Sequence, residues 1–199
     1  DNLSHAYLFF GEPQVGKFLF ALSFANYLEN HKLEEPKKPS RETLVVSGET
    51  IGIDDIRSMR NFLYQKPVFS PRRAVIIRDA ENLTTEAQNA ILKIIEEPPL
   101  QSLAIFVVNN PDVLLPTLVS RTQKIYFPRI GAKEIADFLK NKFSLSETKA
   151  KSVAKEAFGR PGRAIQLTKN LKLKTKNYKL DYIIDNNQID GFFESLIVD

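Results

Sequence analysis

A chain of 199 residues suffices for one large or two small domains, and a hydrophobic share of 43% supports a buried core. The absence of cysteine excludes disulfides and thiolate zinc sites, and two histidines, His5 and His31, are too few and too distant to form a metal cluster alone. The net charge of +4 is unevenly spread: residues 1–128 carry 14 Lys and Arg against 15 Asp and Glu, residues 129–179 carry 14 against 4, and the last twenty carry five acids and no base. This asymmetry predicts a separate basic module with an acidic segment behind it. No apolar run reaches the roughly eighteen residues of a membrane-spanning helix. The chain opens without Met or a signal-peptide pattern, as expected of part of a longer cytosolic protein.

The first apolar run, Ala6-Tyr7-Leu8-Phe9-Phe10, leads into Gly11-Glu12-Pro13-Gln14-Val15-Gly16-Lys17-Phe18, and a helical pattern follows to Glu29 with Phe20, Phe24 and Leu28 on one face. Strand, glycine loop and helix form the setting of a phosphate-binding P-loop, and the spacing G-x-x-x-x-G-K is met in full. Gly11 and Gly16 let backbone N–H groups turn toward phosphate oxygens, and Lys17 reaches the β/γ-phosphates. The next position should supply a hydroxyl to Mg²⁺ and is Phe18, whose ring offers no oxygen. The alternative is a glycine-rich turn formed by chance, which the flanking strand and helix disfavour.

Residues 30–41 read as an exposed connector rich in Lys, Glu and Pro. Strands are predicted at Leu44-Val45-Val46, Ala74-Val75-Ile76-Ile77, Leu103–Val108 and Lys124–Phe127. The intervening helices are predicted at Ile51–Gln65, from Thr84 or Thr85 to Glu97 before Pro98-Pro99, and in a short piece at Leu114–Val119. This alternation predicts an α/β fold with a five-stranded parallel sheet sandwiched by helices. From Ile130 the pattern becomes helical, with Ala132–Phe143, Ser146–Phe158 and Arg163–Lys169, an N-cap at Ser144 or Ser146, and a sharp turn at Gly159-Arg160-Pro161-Gly162. Further helical pieces are expected within Tyr178–Val198.

A P-loop ATPase holds Mg²⁺ through a carboxylate just beyond a central strand, often beside an acid that polarises the attacking water. The strand ending at Ile77 continues Arg78-Asp79-Ala80-Glu81. Arg78 stands where the metal acid belongs, and a permanent cation repels the ion. Asp79 holds the place of the water-polarising acid with one methylene fewer. Glu81 is offset by two residues, and Asp79 and Glu81 are equally compatible with simply opening a loop. Phe18 and Arg78 are two independent losses in one metal site and argue against hydrolysis.

Asn89-Ala90-Ile91-Leu92-Lys93-Ile94-Ile95-Glu96-Glu97-Pro98-Pro99 resembles the NALLKTLEEPP stretch of bacterial replicative clamp loaders, and Leu114-Leu115-Pro116-Thr117-Leu118-Val119-Ser120-Arg121-Thr122-Gln123 resembles their LLPTIxSRCQ stretch. Ile51–Arg57 and Leu3–Phe9 fit the same AAA+ family, and the resemblance covers residues 2–128 well and 129–170 loosely. It implies an AAA+ domain over 1–128 with a degenerate nucleotide site, a helical lid over 129–175 and the start of a truncated collar-type helical region over 176–199. It implies that Ser120-Arg121 carries an arginine finger acting in trans on ATP in an adjacent subunit; the alternative is a helix-end salt bridge. It places Asn109 at the sensor position ending the fourth strand, although an Asn beside Pro-Asp is also ordinary turn chemistry. The second sensor arginine of active relatives falls near Gly162, flanked by Arg160 and Arg163. The four-Cys zinc module common in the family is replaced by the Cys-free connector, so no zinc is expected.

The expected role is a non-catalytic stator subunit in a hetero-oligomeric ring of clamp-loader AAA+ subunits. Such a ring reaches the sliding clamp and primer-template DNA through the complex and needs no membrane. No cofactor is required, and residual ATP or ADP binding without hydrolysis is compatible with Lys17 and the loop amides. Two other readings stand beside this one: an active AAA+ ATPase motor subunit, and a DNA-binding module using the basic run Lys169–Lys179. That run lacks interleaved aromatics apart from Tyr178 and reads as a solvated face.

Overall fold

The computed structural model describes residues 3–30 and 39–173. His31, most of the connector and the expected helices at Tyr178–Val198 lie outside the described residues, as does the greater part of the Lys169–Lys179 run. The described chain divides into two compact units, residues 3–10 with 17–126, and residues 11–16 with 127–173.

The first unit is built from β1 (Ala6–Phe10), α1 (Lys17–Asn30), β2 (Thr43–Val46), α2 (Ile53–Leu63), β3 (Arg73–Ile77), α3 (Thr85–Glu96), β4 (Ser102–Val108), α4 (Pro116–Val119) and β5 (Gln123–Tyr126). The strands form one sheet in the order β2-β3-β4-β1-β5, with every neighbouring pair parallel. Parallel strands buried on both faces need apolar residues at successive positions, and β4 is buried from end to end. Alternation then sorts the side chains. Ala6, Leu8, Val75, Ile77, Ala104 and Phe106 face one way, into a core shared with Ile56, Met59 and Leu63 of α2, Ile91 and Ile95 of α3 and Leu118 of α4. Tyr7 and Phe9 face the other way and meet α1, with Tyr7–Phe24 and Phe9–Phe20 ring centroids 5.7 and 5.5 Å apart. The buried surface of α1 is wider than the expected stripe: Ala21, Leu22 and Ala25 are buried with Phe20 and Phe24, while Leu28 is half-buried.

Helix ends follow local chemistry. The second helix begins two residues later than predicted because Gly52 caps it, donating its N–H to Asp55 Oδ2 at 2.9 Å. Ile51 instead bridges in parallel to Leu83 and is buried. Of the two candidate caps for α3, Thr84 takes the position and accepts from Ala87 N at 3.2 Å. Glu97 leaves the helical region ahead of Pro98, as a residue before proline should.

Glu42 and Arg73 form an ion pair of a kind that single-sequence patterns do not reveal. Arg73 Nε lies 3.2 Å from Glu42 Oε2, with the two side chains only 11% and 4% exposed. The approach is one of charge, not an aligned hydrogen bond, since neither atom has a hydrogen-bond partner among the described residues. Glu42 Oε1 accepts from Val68 N and Phe69 N at 2.9 and 3.3 Å, and the Arg73 guanidinium lies 4.6 Å from the centroid of the Phe62 ring. The pair therefore fastens the segment before β3 to the start of β2.

The second unit contains α5 (Ala132–Phe143), α6 (Glu147–Glu156) and α7 (Pro161–Leu173). Its core is alanine-rich, with Ala136, Ala150, Ala154, Ala157 and Ala164 around Ile135, Leu139 and Val153. Ser146 is the N-cap of α6, while Ser144 ends α5 in the left-handed region at φ 50°. Helix α7 starts two residues before the predicted Arg163, because Pro161 suits the first helical position. The loop of residues 11–16 is tied into this unit. Gly162 N donates to Gln14 O at 2.9 Å, and Gln14 Nε2 donates to Gln166 Oε1 at 2.9 Å. Glu12 accepts from Arg129 Nε at 2.7 Å and from Arg160 Nε at 2.9 Å. The Arg129 hydrogen bond, seconded by Arg160, holds the Glu12 carboxyl below its ordinary pKa against a partial desolvation that raises it.

Two outcomes are expected. Truncating Glu42 strands a buried guanidinium, so Glu42→Ala should lower unfolding free energy in urea by about 3–5 kcal/mol. Glu42→Gln, which still accepts both N–H groups, should cost less. A change below about 1 kcal/mol for Glu42→Ala would mean the pair is solvated. For Glu12 the folded pKa is depressed, so its contribution is complete above the ordinary glutamate range and is lost as pH falls through the folded value. The gap in thermal stability between the natural chain and Glu12→Gln should therefore be largest near neutrality and close in acid; a gap independent of pH would contradict the assignment.

Candidate functional site

The glycine loop is shaped by three positive φ angles, Gly11 at 141°, Gln14 at 67° and Gly16 at 108°. At Gly11 a Cβ would stand 2.4 Å from the Phe127 carbonyl oxygen, so no other residue fits there. Arg160 is engaged by Glu12, and Arg163 lies 5.3 Å from the centroid of the Phe158 ring.

In the first unit Lys17 opens α1 and is only 5% exposed. Its Nζ donates to Asn109 Oδ1 at 3.1 Å, and Asn109 sits at the first position beyond β4. Asn109 Nδ2 in turn donates to Glu81 Oε1. The other oxygen of Glu81 is buried without a hydrogen-bond partner among the described residues. A buried ammonium thus reaches a carboxylate through one amide, which offsets the desolvation of its charge. The local backbone explains how Glu81 arrives. Asp79 adopts φ 54° and ψ 54°, in the left-handed region, and starts a 3-10 turn over Ala80–Asn82. That reversal returns Glu81 to the end of β4, whereas a count along an extended chain leaves it offset. Asp79 keeps its carboxylate half-exposed, 3.5 Å from Arg78 Nε.

Phe18 and Arg78, expected from the sequence at the two metal-ligand positions, meet one another. The Arg78 guanidinium carbon lies 4.7 Å from the centroid of the Phe18 ring, a cation–π geometry. A P-loop of this kind implies Mg²⁺ at that place, and the residues do not fit the ion. The ring offers no donor. The guanidinium repels a cation about 4 Å away by about 4 kcal/mol per unit charge at an effective dielectric of about 20. Among the described residues no group of three or more His, Cys, Asp or Glu is arranged to hold a metal.

Arg121 follows α4 and is 40% exposed. Its Nη2 lies 2.8 Å from Glu96 Oε1 near the end of α3, and its Nη1 donates to Thr117 O at 3.0 Å. Ser120 Oγ donates to the same carbonyl at 3.1 Å. Upstream, buried Gln88 of α3 accepts from Leu115 N at 2.7 Å and donates to Leu83 O at 3.3 Å. The segments Asn89–Pro99 and Leu114–Gln123 are thus one assembly, with α3 setting the height and aim of the arginine. The sequence alone names neither Gln88 nor Glu96 as a site residue, and it leaves Glu81 offset from the place of the acid. The partners that place them, Leu115 for Gln88, Arg121 for Glu96 and Asn109 for Glu81, lie 25 or more positions away, and no local pattern shows them.

Comparison with known proteins agrees with these motifs. The model of the family described as DNA polymerase III, delta subunit matches residues 1–131. DNA polymerase III subunit delta' of Bacillus subtilis (strain 168) is 31% identical over 153 residues, covering 70% of this chain and 46% of that protein. Subunit gamma/tau of Mycobacterium tuberculosis (strain ATCC 25618 / H37Rv) is 33% identical over 142 residues, covering 63% and 25%. The chain therefore spans between a quarter and about half the length of these relatives. Among solved structures, a DNA polymerase III gamma subunit-related protein of Thermotoga maritima superposes with a TM-score of 0.56 at 27% identity, over 85% of this chain and 58% of that one. Thermotoga maritima RuvB (P216G mutant) superposes with a TM-score of 0.69 at 20% identity, over 100% and 64%, a likeness of fold alone. With its five-stranded parallel sheet and AAA+ P-loop fold, the chain belongs to the DNA polymerase III delta subunit family, the clamp-loader family to which its delta' relatives also belong.

Proposed function

We propose that this chain is the stator of a clamp-loader ring: it does not hydrolyse ATP itself and lends Arg121 to the ATP site of a neighbouring AAA+ subunit while the sliding clamp is loaded onto primer-template DNA. The observation that carries the reading is the Phe18–Arg78 stack, which puts a ring and a fixed cation where an ATPase keeps its metal ligands. In this reading residues 1–128 are the AAA+ domain, 129–175 its lid and 176–199 the start of a collar. The ring works in the cytoplasm.

The setting of Arg121 suits a finger in trans. A planar, permanently charged guanidinium matches the charge that develops on a transferring γ-phosphoryl group. Glu96 and Thr117 hold it in a fixed orientation while leaving it half-exposed. An exposed pair of this kind is worth about 0–1 kcal/mol, so exchanging Glu96 for a desolvated phosphate favours the phosphate. The helix-end salt bridge is thus compatible with the finger as its resting state.

A second reading, a weakly active motor subunit, rests on the Lys17–Asn109–Glu81 chain, which links the lysine to a nearby acid through one amide. Turnover decides between the two. The purified protein should show no ATP hydrolysis above background, and turnover abolished by Lys17→Ala would establish the motor reading instead. In the reconstituted complex, Arg121→Ala should leave folding and assembly intact and slow single-turnover hydrolysis at the contacted site by roughly 10-fold or more, given that fingers elsewhere contribute 10³–10⁵. Arg121→Lys should rescue poorly because a point charge lacks the planar fork. An unchanged rate with Arg121→Ala would remove the finger from the account.

A further inference from the structure

The misfit between this site and Mg²⁺ has a positive side. In a working P-loop the hydroxyl after the lysine and the acid beyond the strand converge on one ion. Here the residues at those two positions converge on each other, and what stands at their meeting point is itself a cation.

We propose that Arg78 replaces the metal, so that the site binds the phosphates of a nucleoside polyphosphate without a divalent cation. This rests on the reading of the loop as a nucleotide site that does not turn over. Three observations support it. The guanidinium is laid flat on the Phe18 ring, which orients its fork before any ligand arrives. Its side chain is 51% exposed, and among the described residues its ion pair is the long 3.5 Å approach of Asp79 to Nε, so phosphate oxygens can reach it. Lys17, adjacent in sequence to Phe18, is buried with its ammonium turned to the polar side chain of Asn109 and not to solvent.

The two cations divide the task. Lys17 is a point charge at the first turn of α1, whose 14 residues also direct N-terminal amides toward an anion. Arg78 offers a planar fork suited to two oxygens of one phosphate. Together they supply two positive charges, as one Mg²⁺ would. They bring no coordinated water and no place for one to be activated, so binding is retained while hydrolysis is lost. An added Mg²⁺ competes with Arg78 for the same phosphate oxygens, so metal should weaken binding or leave it unchanged, the reverse of an ordinary P-loop.

The test is calorimetric titration of the purified chain with ATP, once in EDTA and once in excess Mg²⁺, on the natural chain, Arg78→Ala, and the double variant Phe18→Thr with Arg78→Asp. Thermal melts report folding of each. The natural chain should bind ATP in EDTA at least as tightly as in Mg²⁺. Arg78→Ala should weaken binding in EDTA by about tenfold to a hundredfold, the loss expected of a charge-assisted pair. The double variant restores an oxygen at each metal position and should bind ATP only with Mg²⁺. Binding by the natural chain that requires Mg²⁺ would overturn the inference while leaving the nucleotide-site reading in place. Failure to bind in either buffer would overturn both the inference and that reading, without touching the role of Arg121. Equal binding in EDTA by the natural chain and a folded Arg78→Ala would show that the cation is not the metal's substitute.

Discussion

The parallel pairing of β4 with β1 and β3 is the constraint from which the rest of the first unit follows. Phe10 stands against Val108 and Ile77 against Phe106, so the central strands run out toward the same edge of the sheet. Arg78 and Asn109 leave at that edge, and α1, packed through Phe20 and Phe24 on Phe9 and Tyr7, has Lys17 at its first turn. A slip of one residue in β1 would send Tyr7 and Phe9 into the face that holds Ala6 and Leu8. The core around Met59, Ile91 and Leu118 has no room for two rings, so packing enforces the register and the register assembles the site. Ligand sites of open α/β sheets sit beyond the carboxyl ends of their strands for this reason.

In the proposed reading the site retains one half of a phosphoryl-transfer apparatus and lacks the other. Lys17 and Asn109 remain in contact, and Glu81 completes a polar chain that keeps a buried ammonium satisfied. The metal half is filled by the Phe18–Arg78 stack. Filling is not the same as leaving a hole. The Phe18 ring and the Arg78 guanidinium cover one another, a favourable local arrangement. Arg121 shows the same economy of construction. It is supported by α3 through Glu96, and the connection before α4 is registered on α3 by Gln88.

Much of the fold is legible in single-sequence patterns because it is local. Unbroken apolar, mostly β-branched runs such as Ala74–Ile77 mark buried parallel strands, Thr84 marks a helix start, and Pro98 marks a helix end. The glycine loop is legible because only glycine tolerates the backbone at Gly11 and Gly16. What escapes is whatever depends on chain reversal or distant pairing. Ile51 carries a helix-like pattern yet forms a bridge to Leu83, since the backbone of a distant segment captures it. Glu81 becomes part of the site only because Asp79 takes a left-handed turn. Glu42 with Arg73, and Glu12 with Arg129 and Arg160, are pairs of ordinary charged residues until folding buries one pair and concentrates the other on a loop.

In the proposed function Arg121 acts on a neighbour's nucleotide while its own subunit does no chemistry. The most direct measurement is a structure of the assembled clamp-loader complex with a non-hydrolysable ATP analogue and Mg²⁺. In that structure Arg121 should have left Glu96, with its guanidinium within hydrogen-bonding distance of the γ-phosphate held by the adjacent subunit. An Arg121 still paired with Glu96 and remote from every nucleotide, or a Mg²⁺ ion seated between Phe18 and Arg78, would contradict it.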